Sequence, residues 1–147
     1  MTEQPEQPQL DDRTLSALKW LGYACGDLTS AVRYQNGVPD RITAFHAQQA
    51  AEKAIKAALI LSGIAFKYDH AMETHAGQLP AGWEPGASLD DLARLAAMNT
   101  AARYPTPGEE ITKKQAQWAL AKARVVYRSI YAGCQGRGVP LDQLLCQ

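Results

Sequence analysis

Apolar residues return at three- and four-residue spacing along most of this chain, and no segment alternates long enough to be a strand. Leu15, Leu18, Leu21, Cys25, Leu28 and Val32 mark the inner face of a first helix. Asp11 or Asp12 can cap it, and Asn36-Gly37 with Pro39 ends it. A second helix is predicted from about Arg41 to Ser62, stopping at Gly63. Ser88, with Asp91 three residues on, has the form of a capping box. It opens a third helix with Leu89, Leu92, Leu95, Ala96 and Ala102 facing inward, which breaks at 104–108. A fourth runs from about Glu110 to Ala132, with Ala116, Ala119, Leu120, Ala123, Val126, Tyr127 and Ile130 on its core arc. Beyond Gly133 the chain is glycine-rich and closes on an apolar tail from Leu141 to Leu145. Between the second and third helices, 68–79 has room for a short helix and 79–86 reads as a proline- and glycine-rich loop. The expected fold is all-α: an up-down four-helix bundle with a long loop between helices 2 and 3.

The second helix has an unusual division of faces. Phe45, Gln48, Gln49, Glu52, Lys53 and Lys56 fall on one side at 100° per residue, while Ala47, Ala50, Ala51, Ala54, Ala57 and Ala58 fill the other. The alanines allow close approach of another helix. Glu52 and Lys56 are a favourable i,i+4 pair, which accounts for some of the polar stripe as surface pairing. Apolar residues at both ends of the stripe instead point to partial burial, and buried charges need partners. Arg103, at the end of the third helix, is a candidate partner for Glu52.

The fourth helix brings in charge. From Ile111 to Leu141 there are six basic residues and no acidic one: Lys113, Lys114, Lys122, Arg124, Arg128 and Arg137. Macrodipole matching, with Glu109 and Glu110 at the start, explains the last turn but not Lys113 and Lys114. The alternatives are a solvated face and an anionic partner such as RNA. Ile111, Trp118 and Val125 form a second apolar line, expected to pack under the 80–86 loop or to make a homodimer interface.

Composition narrows the class. The 147 residues suit one domain at 11–147 after a disordered tail at 1–10, large enough to bury roughly 70% of its unfolded surface. Fifteen basic and fifteen acidic residues cancel, so no bulk polyelectrolyte argument applies. No membrane span and no secretory leader are expected. Cys25, Cys134 and Cys146 form no disulfide framework and no CxxC pair, and a reducing cytoplasm is expected. No nucleophile triad, phosphate-binding glycine loop or zinc spacing is present; no metal or cofactor is expected. His70 and His75 have the wrong spacing for one helical metal face, and no strand precedes the glycines at 133–138.

The run Phe45-His46-Ala47-Gln48-Gln49-Ala50-Ala51-Glu52-Lys53-Ala54-Ile55-Lys56-Ala57, taken with Arg103-Tyr104-Pro105, resembles the HEPN family (higher eukaryotes and prokaryotes nucleotide-binding domain). Trp20, Ala24, Asp27-Leu28, Ala31 and His70 add to a likeness covering about residues 14–132. The resemblance implies a compact helical bundle, frequently dimeric, often encoded beside a minimal nucleotidyltransferase. Many members are RNases of toxin–antitoxin and defence systems; others bind RNA or nucleotides without cleaving. The family's nuclease motif is an arginine and a histidine with four to six residues between them, after the third helix. Arg103 stands at the arginine position, but Gly108, Glu109 and Glu110 occupy the histidine positions. Arg41 and His46 have the spacing, at the start of the second helix instead. The expectation is a noncatalytic nucleotide- or RNA-binding module acting with a nucleotidyltransferase partner. Its pocket would use Gln49, Glu52, Lys53, Lys56, Arg103 and Tyr104. The alternatives are a metal-independent endoribonuclease using His46 with Arg103 or Arg41, and a structural homodimer whose polar stripe is a satisfied internal network.

Overall fold

The computed structural model describes residues 10–34, 36–105, 107–108 and 110–144. The expected N-terminal tail up to residue 9, Glu109, Leu145 and Cys146 lie outside the described residues. Five helices follow in order: α1 (Asp12–Tyr34), α2 (Asp40–Leu61), α3 (Met72–Gly77), α4 (Leu89–Arg103) and α5 (Lys113–Gly136), with a 3-10 turn at Leu141–Gln143. Among the described residues the regular structure is all helical. Four long helices make the bundle, and α3 lies in the long connection where the sequence left room for it.

Three of the helix starts follow local side-chain chemistry. Asp11 Oδ1 accepts the Thr14 backbone N–H at 2.8 Å, a bond that holds this carboxyl below the usual range. Ser88 Oγ accepts the Asp91 N–H at 3.1 Å. Asp91 does not complete the box by reaching back. Its carboxylate takes Lys122 of α5 at 2.9 Å, which lowers its pKa. At α5, Thr112 and Gln115 form the full reciprocal capping box, so the helix starts at Lys113 and not at Glu110.

α2 is the central element and packs against all four other helices, most extensively against α1 and α5. Ala44, Ala47, Ala50, Ala51, Ala54, Ala57 and Ala58 have no exposed surface. The seam of α1 runs through Ala17, Leu18, Leu21, Ala24 and Ala31, all buried. Ala17, Ala24 and Ala31 recur every seven residues, so small side chains hold the inward line. That shift corrects one expectation: Leu15, off this line in the first turn, is 43% exposed. Leu89 is also outside the core, on the first turn of α4.

The 79–87 segment is a docked strap. Trp83 is buried, its Nε1 donates to Ser62 Oγ at 3.0 Å, and the Arg137 guanidinium stacks 3.8 Å from its ring centroid. Ser129 Oγ donates to the Glu84 carbonyl, and Gly86, at φ +87°, lies against the α5 backbone at Val125 and Val126. Gly133 does not end α5 as expected. A Cβ there would come within 2.5 Å of the Trp83 ring, so the glycine makes room for the indole and the helix continues to Gly136. Of the second apolar line, Trp118 is covered by the Arg94 guanidinium at 4.3 Å, while Val125 stays half exposed. Cys134 is a free, buried thiol whose pKa burial pushes up to about 11. Cys25 is disulfide-bonded, so the cysteines give no support to the expected reducing compartment. Among the described residues no helix is long and apolar enough to cross a membrane.

Candidate ligand-binding site

The polar stripe of α2 is divided among three settings. The first is a closed network around Glu52, which is 2% exposed. Glu52 Oε2 accepts Gln48 Nε2 and Gln49 Nε2, each at 3.1 Å. Glu52 Oε1 accepts Lys56 Nζ at 3.1 Å and lies 2.8 Å from His70 Nδ1. Four contacts therefore fill the carboxylate. Lys56, 5% exposed, also donates to the Asp69 carbonyl at 2.8 Å and stands over the Trp20 and Phe66 rings. Gln48 Oε1 accepts from Gln49 Nε2 at 2.8 Å and from Asn99 Nδ2 of α4 at 3.0 Å. Asp69 ties in the connection: its Oδ1 accepts the Ala71 N–H and lies 3.2 Å from buried His75 Nε2.

This arrangement corrects the candidate Glu52–Arg103 pairing. Asn99 occupies the α4 position facing the stripe, and Arg103 Nε turns back along its own helix to the Asn99 carbonyl at 3.3 Å. A hydrogen bond to a charged group is among the stronger ones in a protein, and burial of the unpaired group is costly. Glu52 and Lys56 are thus occupied by protein partners.

The second setting lies toward α1. Asp27 Oδ1 is 2.9 Å from His46 Nδ1, and Asp27 Oδ2 accepts Lys53 Nζ at 2.5 Å. His46 and Lys53 keep about a quarter of their surface in solvent. The carboxylate fixes the imidazole orientation, as the partner of a general base does. His46 is paired with Asp27 of α1, whereas Arg103 bonds back to its own helix, α4. His46 does not share a face with Arg41 either, since residues five apart on a helix stand about 140° apart.

The third is an open cleft of about 830 Å³ where the start of α2 meets the end of α4 and the connection to α5. Arg41, Arg103 and Tyr104 line it, with Pro39, Asp40, Pro105, Pro107, Glu110 and Ile111. The Arg103 guanidinium lies 5.4 Å from the Tyr104 ring centroid, and that ring is 57% exposed. Among the described residues neither Arg41 nor Arg103 is in an ion pair.

The structure therefore keeps Gln49, Glu52 and Lys56 together, places Lys53 with His46, and places Arg103 and Tyr104 with Arg41. The residues expected to share one pocket, Gln49, Glu52, Lys53, Lys56, Arg103 and Tyr104, are divided among these settings: the cleft lined by Arg103 and Tyr104 does not include the four from α2. Asp27, Asp69, His75 and Asn99 are site residues that sequence reasoning did not assign. Among the described residues no group of three or more His, Cys, Asp or Glu could hold a metal ion.

Comparison with known proteins agrees with this architecture. A search of curated proteins and a search of solved structures return no match. The family model described as HEPN domain matches residues 17–132, from the buried seam of α1 to the last turns of α5. That span contains the α2 network, the His46–Asp27 pair and the Arg103 cleft, and it covers most of the sequence: the chain belongs to the HEPN domain family.

Proposed function

We propose that this chain is a noncatalytic nucleotide- or RNA-binding module whose ligand enters the Arg41–Arg103–Tyr104 cleft, acting beside a minimal nucleotidyltransferase and as a homodimer. One observation carries the reading. Two guanidiniums without carboxylate partners among the described residues border the same 830 Å³ cleft as an exposed tyrosine ring. Guanidiniums match phosphate oxygens in fork geometry, and a tyrosine offers a stacking face to a base. The volume lies in the range of small-molecule sites. The Glu52 network then serves as the frame that holds α4 on α2.

A second reading rests on the His46–Asp27 pair, an oriented imidazole with partial solvent access. It is a metal-independent endoribonuclease using His46. Among the described residues α2 brings no arginine to the His46 face, which favours the first reading, because cleavage without metal needs a cation on the phosphate and Lys53 is already paired with Asp27.

The two separate in one experiment. A fluorescein-labelled uridine oligomer is titrated with the wild-type chain and with Arg103→Ala, in EDTA. The expected result is intact RNA, with affinity lowered about tenfold in the variant, or ~1.4 kcal/mol. The salt slope should also shrink by ~0.7 for one lost phosphate contact. Equal affinity removes Arg103 from the site. Cleavage that disappears in His46→Ala establishes the nuclease instead.

A further inference from the structure

A second recess lies apart from the Arg103 cleft, between the C-terminal half of α1 and the middle of α5. It has a volume of about 550 Å³ and is lined by Leu28, Thr29, Val32, Arg33, Arg124, Tyr127 and Arg128. Its floor is apolar: Leu28, Val32 and Tyr127 pack against the core and are half-buried. Burial pushes the Tyr127 hydroxyl up to about 12, so it is neutral. Its banks are basic on both sides. Arg33 stands on the α1 side, and Arg124 and Arg128 stand one turn apart on the α5 side.

Among the described residues none of the three guanidiniums is in an ion pair. Arg124 and Arg128 are like charges at i,i+4, an arrangement that repels. α5 contains no acidic residue, so neither helix position nor a neighbour on its own helix offsets them. Asp27, the nearest acid along α1, is occupied by His46 and Lys53. Arg128 is two turns from the end of α5, where the macrodipole contributes little.

An apolar floor between two helices, with cations on both banks, has the complement of one shape. We infer that this groove seats an acidic amphipathic helix of a partner protein. Apolar side chains of that helix, at three- and four-residue spacing, lie on Leu28, Val32 and Tyr127. Glu or Asp on its two flanks take Arg33 on one bank and Arg124 with Arg128 on the other. Helix-in-groove docking uses this division of labour, and arginine forks bind carboxylates bidentately. A phosphate would instead need the guanidiniums to converge on one point, whereas these are set on opposite banks of a mainly apolar floor.

The test uses the full chain and a fluorescein-labelled synthetic helix, with Leu at three- and four-residue spacing and Glu on both flanks. A peptide with Lys in place of Glu is the control. The expected result is saturable binding of the Glu peptide alone, weakened at least about tenfold by Arg124→Glu/Arg128→Glu, whose circular dichroism should match the wild type. Light scattering should give one peptide per chain. Arg103→Ala should bind the peptide unchanged, which keeps this inference independent of the proposed function. Equal binding of the Glu peptide by the charge-reversed variant overturns the proposal, as does no binding by the wild type. A labelled uridine oligomer whose binding is lost in the same variant, with the peptide ignored, makes the groove an RNA contact and also overturns it. Pairing of two chains through these residues does the same.

Discussion

Glu52→Leu should destabilise the fold by about 3–5 kcal/mol, the range for removing one partner of a buried ion pair. The carboxylate has four partners, and each loses something different. The Lys56 ammonium, 5% exposed, keeps only the Asp69 carbonyl and two ring faces. Gln48 and Gln49 lose an acceptor for their amide protons. Gln48 is completely buried, so no water replaces it without a gap opening between α2 and α4. Urea unfolding checks this, with a midpoint lower by about 1 M or more. Glu52→Leu/Lys56→Met should be more stable than Glu52→Leu alone, because the second change removes the stranded charge. A single variant within about 1 kcal/mol of the wild type would mean that the stripe is ordinary surface pairing.

Trp83→Ala should cost a similar amount, about 3–5 kcal/mol, by a different route. The indole fills the space left by Gly133, is 7% exposed, and bridges the strap to the end of α2 through Ser62. Its removal leaves a void that Gly133 has no side chain to fill, and it frees Arg137 from its stack. Thermal unfolding should fall by roughly 10 °C at a few degrees per kcal/mol. Amide exchange should rise first in residues 80–87. The Ser62→Ala change isolates the hydrogen bond and should cost far less, about 1 kcal/mol. A Trp83→Ala loss no larger than the Ser62→Ala loss would show that the strap does not depend on ring packing.

Much of the frame was readable because helices announce themselves locally. The period of Leu18, Leu21, Leu92 and Leu95, the Ser88 cap and the alanine side of α2 are properties of short segments. Thr112 and Gln115 carried an equally local signal, the capping box, which would have placed the start of α5 correctly. The end of α5 carried none. Gly133 reads as a stop, and only the distant Trp83 explains why a helix needs a glycine there. The same limit applied to the site. The stripe on α2 was visible as chemistry, but its partners were not, because Asp27 and Asn99 are single polar residues in other helices. Asn99 had one clue: it follows Met98 and sits between Leu95 and Ala102, on a side otherwise apolar. Arg103 was chosen for its charge, whereas packing placed an amide there.

Arg41, Arg103 and Tyr104 share a position in the architecture that Glu52 and Lys56 do not. They sit in the first and last turns of two helices and in the connection beyond, with their surfaces in solvent. Substitutions there disturb few packed atoms, while substitutions at mid-helix Glu52 disturb many. Mutational drift is therefore unequally permitted across this molecule. The chemistry of the cleft rim can therefore change while the interior stays frozen, and one frame can carry quite different rims.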